Sequence, residues 1–172
     1  MNVAESCGVD RQVAAGRTAA GGFTLLEIMI AVLIIGLLAA IAVPMLSKAR
    51  MTTNIVKVAN DLKVFGAAFD LYAMERRGYP PDCGLPAPNH LPNTQMEQYL
   101  NVKKWCENTA IGGSFEWEGP DSCTYAGIAI VGSTASSDIM RKLDAVCDNG
   151  DLNSGHFRLI AATGRYTYIL DE

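Results

Sequence analysis

One carboxylate, Glu27, stands inside the apolar stretch GGFTLLEIMIAVLIIGLLAAIAVPML of residues 21–46, and no basic residue lies within that stretch. An ionised carboxylate in hydrocarbon costs several kcal/mol, so an acid in such a segment calls for a cationic partner. The rest of the chain is poor in reactive groups. His90 and His156 are the only histidines, and no G-x-S-x-G, H-E-x-x-H or Gly-rich phosphate loop occurs. Ser133, Ser136 and Ser137 cluster beside a helix start, where capping accounts for them better than nucleophilic chemistry. The sequence therefore predicts no enzyme and assigns no catalytic, cofactor-binding or metal-ligating residue.

Four cysteines, Cys83, Cys106, Cys123 and Cys147, follow the apolar stretch, and Cys7 precedes it. None forms a C-x-x-C pair, and the spacings of 23, 17 and 24 residues fit no zinc pattern. If the stretch anchors the chain and sends the rest outward, these four thiols meet an oxidising compartment, where two disulfides are expected. Cys83 to Cys106 and Cys123 to Cys147 are the local pairings that close loops without threading. The other two connectivities stay open.

The elements that position these groups begin with the apolar run. Ile28 to Leu46 is nineteen residues without a charge, which at about 1.5 Å per residue approaches the ~30 Å hydrocarbon thickness. It is too long for the apolar core of a secretory signal peptide. Arg11 and Arg17 ahead of it are balanced by Glu5 and Asp10, and Lys48 and Arg50 follow it, so flanking charge does not fix orientation. The 172-residue chain has a net charge of -4 and no basic run longer than two residues. That excludes the electrostatic footprint of a nucleic-acid binder. About 125 residues remain for one modest soluble domain.

Gly22, Phe23, Thr24, two leucines and Glu27, followed by an apolar helix that reaches Pro44, resemble the N-terminal signature of the type IV prepilins and type II secretion pseudopilins. The resemblance implies that a prepilin peptidase cuts between Gly22 and Phe23 and methylates the new amine. Residues 1–22 would be a leader and residues 23–46 the transmembrane half of a long helix. Residues 47–172 would be a periplasmic head on a single-pass inner-membrane anchor. It further implies that Glu27 pairs with the Phe23 amine of a neighbouring subunit during assembly. The implied partners are other copies of the chain, related pilin subunits, the peptidase and an inner-membrane assembly platform, with no nucleic acid among them. The leader departs from the short basic form common in the family. A second reading is a membrane-anchored periplasmic binding module, or a minor tip subunit that contacts cargo or a surface without building the shaft. Major pseudopilins also share a calcium site near the C-terminus; Asp148, Asp151 and Asn153 are candidate donors here, but their spacing is not that of an EF-hand and reads better as a turn.

Past Pro44, Ile55, Val58, Leu62, Phe65, Phe69 and Tyr72 recur every three or four residues, which lays one apolar stripe along a helix over residues 47–77. Gly78, Pro80 and Pro81 supply its stop, and Pro44 a possible kink. Residues 78–113 read as a Pro-rich loop with a helical turn from Thr94, in which Trp105 covers the core edge. Residues 114–172 read as a sheet: SFEWE alternates, TYAGIAIVG is a strand between glycines, and HFRLIA and RYTYILDE form a hairpin around Thr163-Gly164. Between them SSDIMRKLDAVCDNG fits a helix with Ile139, Met140, Leu143 and Val146 on one face. The predicted class is α+β and pilin-like, a long N-terminal helix packed on an antiparallel sheet with an inserted helix.

Overall fold

The computed structural model describes residues 22–82, 91 and 94–172. Its longest element, α1 (Leu25–Arg76), has no helix-breaking residue except Pro44, and the helix assignment continues through it. The chain divides into two units, Met1–Ala42 and Val43–Glu172. In the first, every described side chain is exposed, although the segment is apolar enough to cross a membrane, with a mean hydropathy of 2.8. Such a surface has no protein partner of its own, and hydrocarbon is the solvent that suits it.

In the second unit α1 is amphipathic. The predicted stripe of Ile55, Val58, Leu62, Phe65, Phe69 and Tyr72 is buried, together with Ala59, Gly66 and Ala68. The helix stops one residue earlier than the glycine suggests. Arg77 takes the left-handed conformation at φ 63°, and the Gly78 amide reaches back to the Ala73 carbonyl at 3.0 Å, a Schellman closure.

Four antiparallel strands, β1 (Ser114–Glu118), β2 (Ala126–Val131), β3 (Phe157–Ile160) and β4 (Arg165–Asp171), form one sheet in the order β1-β2-β4-β3. Register places Trp117 beside Ile128 and Ile128 beside Tyr168, and Phe115 beside Ile130 and Ile130 beside Tyr166. This alternate set is the face that meets α1. Gly66 lets the two surfaces close, since a Cβ there would stand 3.0 Å from Leu170 Cδ2 and 3.4 Å from Tyr168 Cε1. Trp105 ends the short helix α2 (Val102–Trp105), whose N-cap Asn101 accepts from the Lys104 amide. It is not at the core edge as its sequence suggests. It is wholly buried, with edge contacts to Phe65 at 5.1 Å and a stacked contact to Phe115 at 5.9 Å. Each aromatic so buried contributes about 1.5–3 kcal/mol of transfer free energy.

The opposite face of the sheet also leaves water. Glu116 and Glu118, which alternation assigns to the polar side of β1, are 8% and 2% exposed. Arg165 donates to both at 3.1 Å, while the hydroxyls of Thr167 and Tyr125 donate to Glu118 Oε2 at 2.9 and 2.8 Å. A buried carboxylate persists only when its lone pairs are satisfied in this way.

The inserted helix α3 (Ser137–Cys147) has Ser136 in the N-cap position, though its hydroxyl makes no cap bond. Met140 and Leu143 face the core as expected, but Val146 is 41% exposed and Asp144 takes the buried position instead. Lys63 of α1 donates to the Val146 carbonyl at 3.2 Å, so that end of α3 meets α1 through a polar contact.

Candidate functional site

At the start of α1, Thr24 serves as the cap. Its side-chain oxygen accepts from the Glu27 amide at 3.2 Å, and its carbonyl accepts from the amides of Glu27 and Ile28 at 3.1 and 3.3 Å. The Glu27 amide, one of the helix's orphan N–H groups, is satisfied in this way, and the Ile28 amide makes the first intrahelical bond. Glu27 falls in the first turn, where its negative charge complements the positive end of the helix dipole. It is exposed, and among the described residues it has no ion-pair partner. Phe23 is 77% exposed. Among the described residues a Cβ at Gly22 would meet nothing within 4 Å. Phe23, Leu25, Ile28, Met29, Val32 and Leu33 surround this end with apolar surface.

The geometry thus joins three sequence-predicted features within six residues, a glycine, the aromatic that follows it and an acid one turn in, with a capped helix start that the sequence reading did not assign. A capping role for Thr24 was legible as the T-x-x-E pattern ahead of an apolar run, a signal outweighed by the family likeness of the whole stretch.

The cysteines are arranged otherwise than their spacing suggests. Cys123 and Cys147 are thiols, not a pair. Cys123 closes a turn onto the Gly119 carbonyl at 3.1 Å, near Glu118, Tyr125 and Asp82, and burial raises its pKa. Cys147 ends α3 beside Lys63, and burial pushes its thiol up to about 11. The α3 terminus is held at α1, and the turn after β1 is held at the Pro81–Asp82 backbone. Cys106 caps the C-terminus of α2 and is exposed. Cys83, and with it the Cys83–Cys106 pairing, lies outside the described residues, as do Cys7, His90 and the leader through residue 21.

The oxygen-rich segment after α3 is a turn whose donors are already used. Asp148 Oδ2 accepts from the His156 amide at 2.6 Å, Asn149 Oδ1 from the Asp151 amide at 2.7 Å, and Asp151 from the Asn153 amide and the Ser154 hydroxyl. These bonds hold the Asp151 carboxyl below the usual carboxylate range, the Asn153 amide foremost. Among the described residues no three carboxylate, histidine or cysteine groups converge.

The long apolar helix, its signature and the α+β head are similar to those of the type IV prepilins and type II secretion pseudopilins. A prokaryotic N-terminal methylation motif matches residues 17–43. The chain is 39% identical over 59 residues to type II secretion system core protein G of Pseudomonas aeruginosa, covering 34% of this chain and 42% of that protein. It is 41% identical over 59 residues to the protein of that name from Klebsiella pneumoniae, with the same coverage. Against that of Pectobacterium carotovorum it is 36% identical over 77 residues, 44% of this chain and 49% of the relative. The matched segments thus span less than half the length of these relatives. No solved structure matches the chain.

Proposed function

We propose that this protein is a non-enzymatic structural subunit of a type II secretion pseudopilus, anchored in the inner membrane and assembled through α1. The observation that carries the reading is the run from Gly22 to Glu27 at the head of an exposed apolar helix, within a segment that matches the N-terminal methylation motif. The likeness to core protein G supports the pseudopilus over a type IV pilus.

In this reading a prepilin peptidase cuts after Gly22 and methylates the amine of Phe23, which keeps its positive charge. Residues 23–46 hold the chain in the bilayer and residues 47–172 form the head on the outer side. The new amine lies four residues from Glu27, one helical turn, so it can meet its own acid or that of a neighbour. Within a bundle of apolar helices an intersubunit pair fixes the axial register, since a carboxylate left alone in lipid is costly. The partners are other copies of the chain, related subunits and the assembly platform.

Intact-mass measurement of protein purified from membranes tests the proposal. The expected species begins at Phe23 and carries one methyl group. A chain that retains residues 1–22 in assembled material overturns it.

A further inference from the structure

We propose that Lys48, Arg50 and Lys57 form a basic collar that binds the phosphates of anionic phospholipid headgroups where α1 leaves the bilayer. The inference rests on the reading that residues 28–46 lie in hydrocarbon, and it goes beyond that reading by assigning a ligand to the segment that follows.

The first charges after Glu27 are these three cations, and the next acid is Asp61. All three side chains are exposed and none is in an ion pair among the described residues. Beyond Lys57 the balance reverses, with nine lysines and arginines against fifteen aspartates and glutamates. The positive charge is therefore sorted to the end of the apolar run, and an anionic surface would repel the rest of the head.

Helix geometry brings the collar to the right depth. At about 1.5 Å per residue, Lys48 and Arg50 stand roughly 3 and 6 Å past Leu46, within the polar layer that flanks each side of a ~30 Å core. Lys57 lies roughly 16 Å past it, but helical side chains tilt toward the N-terminus, which here is the membrane side. Its ammonium returns to within about a Debye length of the surface. At about 100° per residue, Lys48 and Arg50 project from nearly opposite sides of α1, and Lys57 falls close to the Arg50 side. A ring of this kind meets a planar headgroup layer from both flanks of the helix, where a one-sided patch would not. Each such cation near an anionic surface adds an attraction that salt screens.

The test uses the full chain reconstituted in phosphatidylcholine vesicles, with spin-labelled phosphatidylglycerol or phosphatidylcholine as tracer. The readout is the fraction of each tracer immobilised at the protein. Wild type is expected to prefer phosphatidylglycerol several-fold and to lose the preference in high salt. The triple variant Lys48→Gln, Arg50→Gln, Lys57→Gln is expected to insert equally, judged by resistance to alkaline extraction, and to show no preference. Lys48→Arg with Lys57→Arg should retain it. An inserted wild type without preference, or a triple variant that keeps it, overturns the collar while leaving the anchor intact. Wild-type protein that fails to insert overturns both.

Discussion

Trp117 of β1 stacks face to face on Phe69 of α1, their ring centroids 3.8 Å apart and their planes 4° from parallel. The same indole N–H donates to the Pro80 carbonyl at 3.0 Å. One side chain thereby ties helix, sheet and the segment after the helix together. Trp117→Ala is expected to destabilise the protein by about 3–5 kcal/mol through lost burial and a cavity. Trp117→Phe should cost less, keeping the packing but leaving Pro80 unsatisfied. Denaturant unfolding of the full chain in detergent checks the order of the two.

Arg165 and Arg158 form ion pairs on neighbouring strands, in different settings. Arg165 bridges Glu116 and the 2%-exposed Glu118, whereas Arg158 meets the exposed Glu172. Removing one partner of a buried pair strands the other, so Arg165→Ala is expected to cost about 3 kcal/mol, the lower end for such a loss because part of the guanidinium reaches water. Arg158→Ala should cost about 0–1 kcal/mol. Equal effects in unfolding experiments would contradict the assignment of Glu118 as the buried member.

Asp144 is fully buried, and among the described residues its carboxylate oxygens accept no close hydrogen bond, the Asn149 and Gly150 amides lying near them. Burial first, and the charge of Asp148 second, raise its pKa above the ordinary carboxylate value. A pKa raised by folding means that the group's contribution is fully present below the unfolded value of about 3.9 and is lost as pH rises through the folded value. Asp144→Asn does not titrate. It is expected to raise the thermal midpoint over wild type at pH 7 and to make little difference at pH 3. A wild type more stable than the variant at pH 7 would count against this.

The Asp82 amide donates to Asp121 at 2.6 Å, and Gly119 closes on the Pro81–Asp82 backbone. Cys83 is the next residue in the sequence. On oxidation, Cys123 is therefore expected to bond Cys83 and not Cys147, adding about 2–4 kcal/mol by the chain-entropy account. Peptide mapping without reductant decides it, and recovery of a Cys123–Cys147 peptide would refute the expectation.

Much of this was legible in residue order. The stripe from Ile55 to Tyr72 fixed the buried face of α1 because a period of 3.6 has one reading, and Phe115 and Trp117 fixed the inner face of β1. What could not be read was the environment of polar residues. Glu116 and Glu118 alternate as a solvent face does, and only the arrival of Arg165, forty-seven residues beyond Glu118, makes their burial possible. Asp144 took a position that periodicity gave to Val146, at the end of α3 that Lys63 reaches. Cysteine pairing is not readable in this way, since sequence proximity does not report which turn packs on which. The roles proposed for Gly22, Phe23 and Glu27 depend on adjacency along the chain and not on distant contacts, so they can be read from residue order and put to the test by substitution.

The most direct measurement is assembly of Glu27→Ala in cells. The substitution removes the intramembrane acid without touching the Gly22–Phe23 bond or the Thr24 carbonyl that starts the helix. Cleavage and membrane insertion are expected to match wild type, while recovery of subunit in sheared or cross-linked filaments falls sharply, since loss of one partner of a buried pair costs roughly 3–5 kcal/mol at each subunit. Cleaved, membrane-inserted Glu27→Ala protein that assembles as well as wild type would contradict the account.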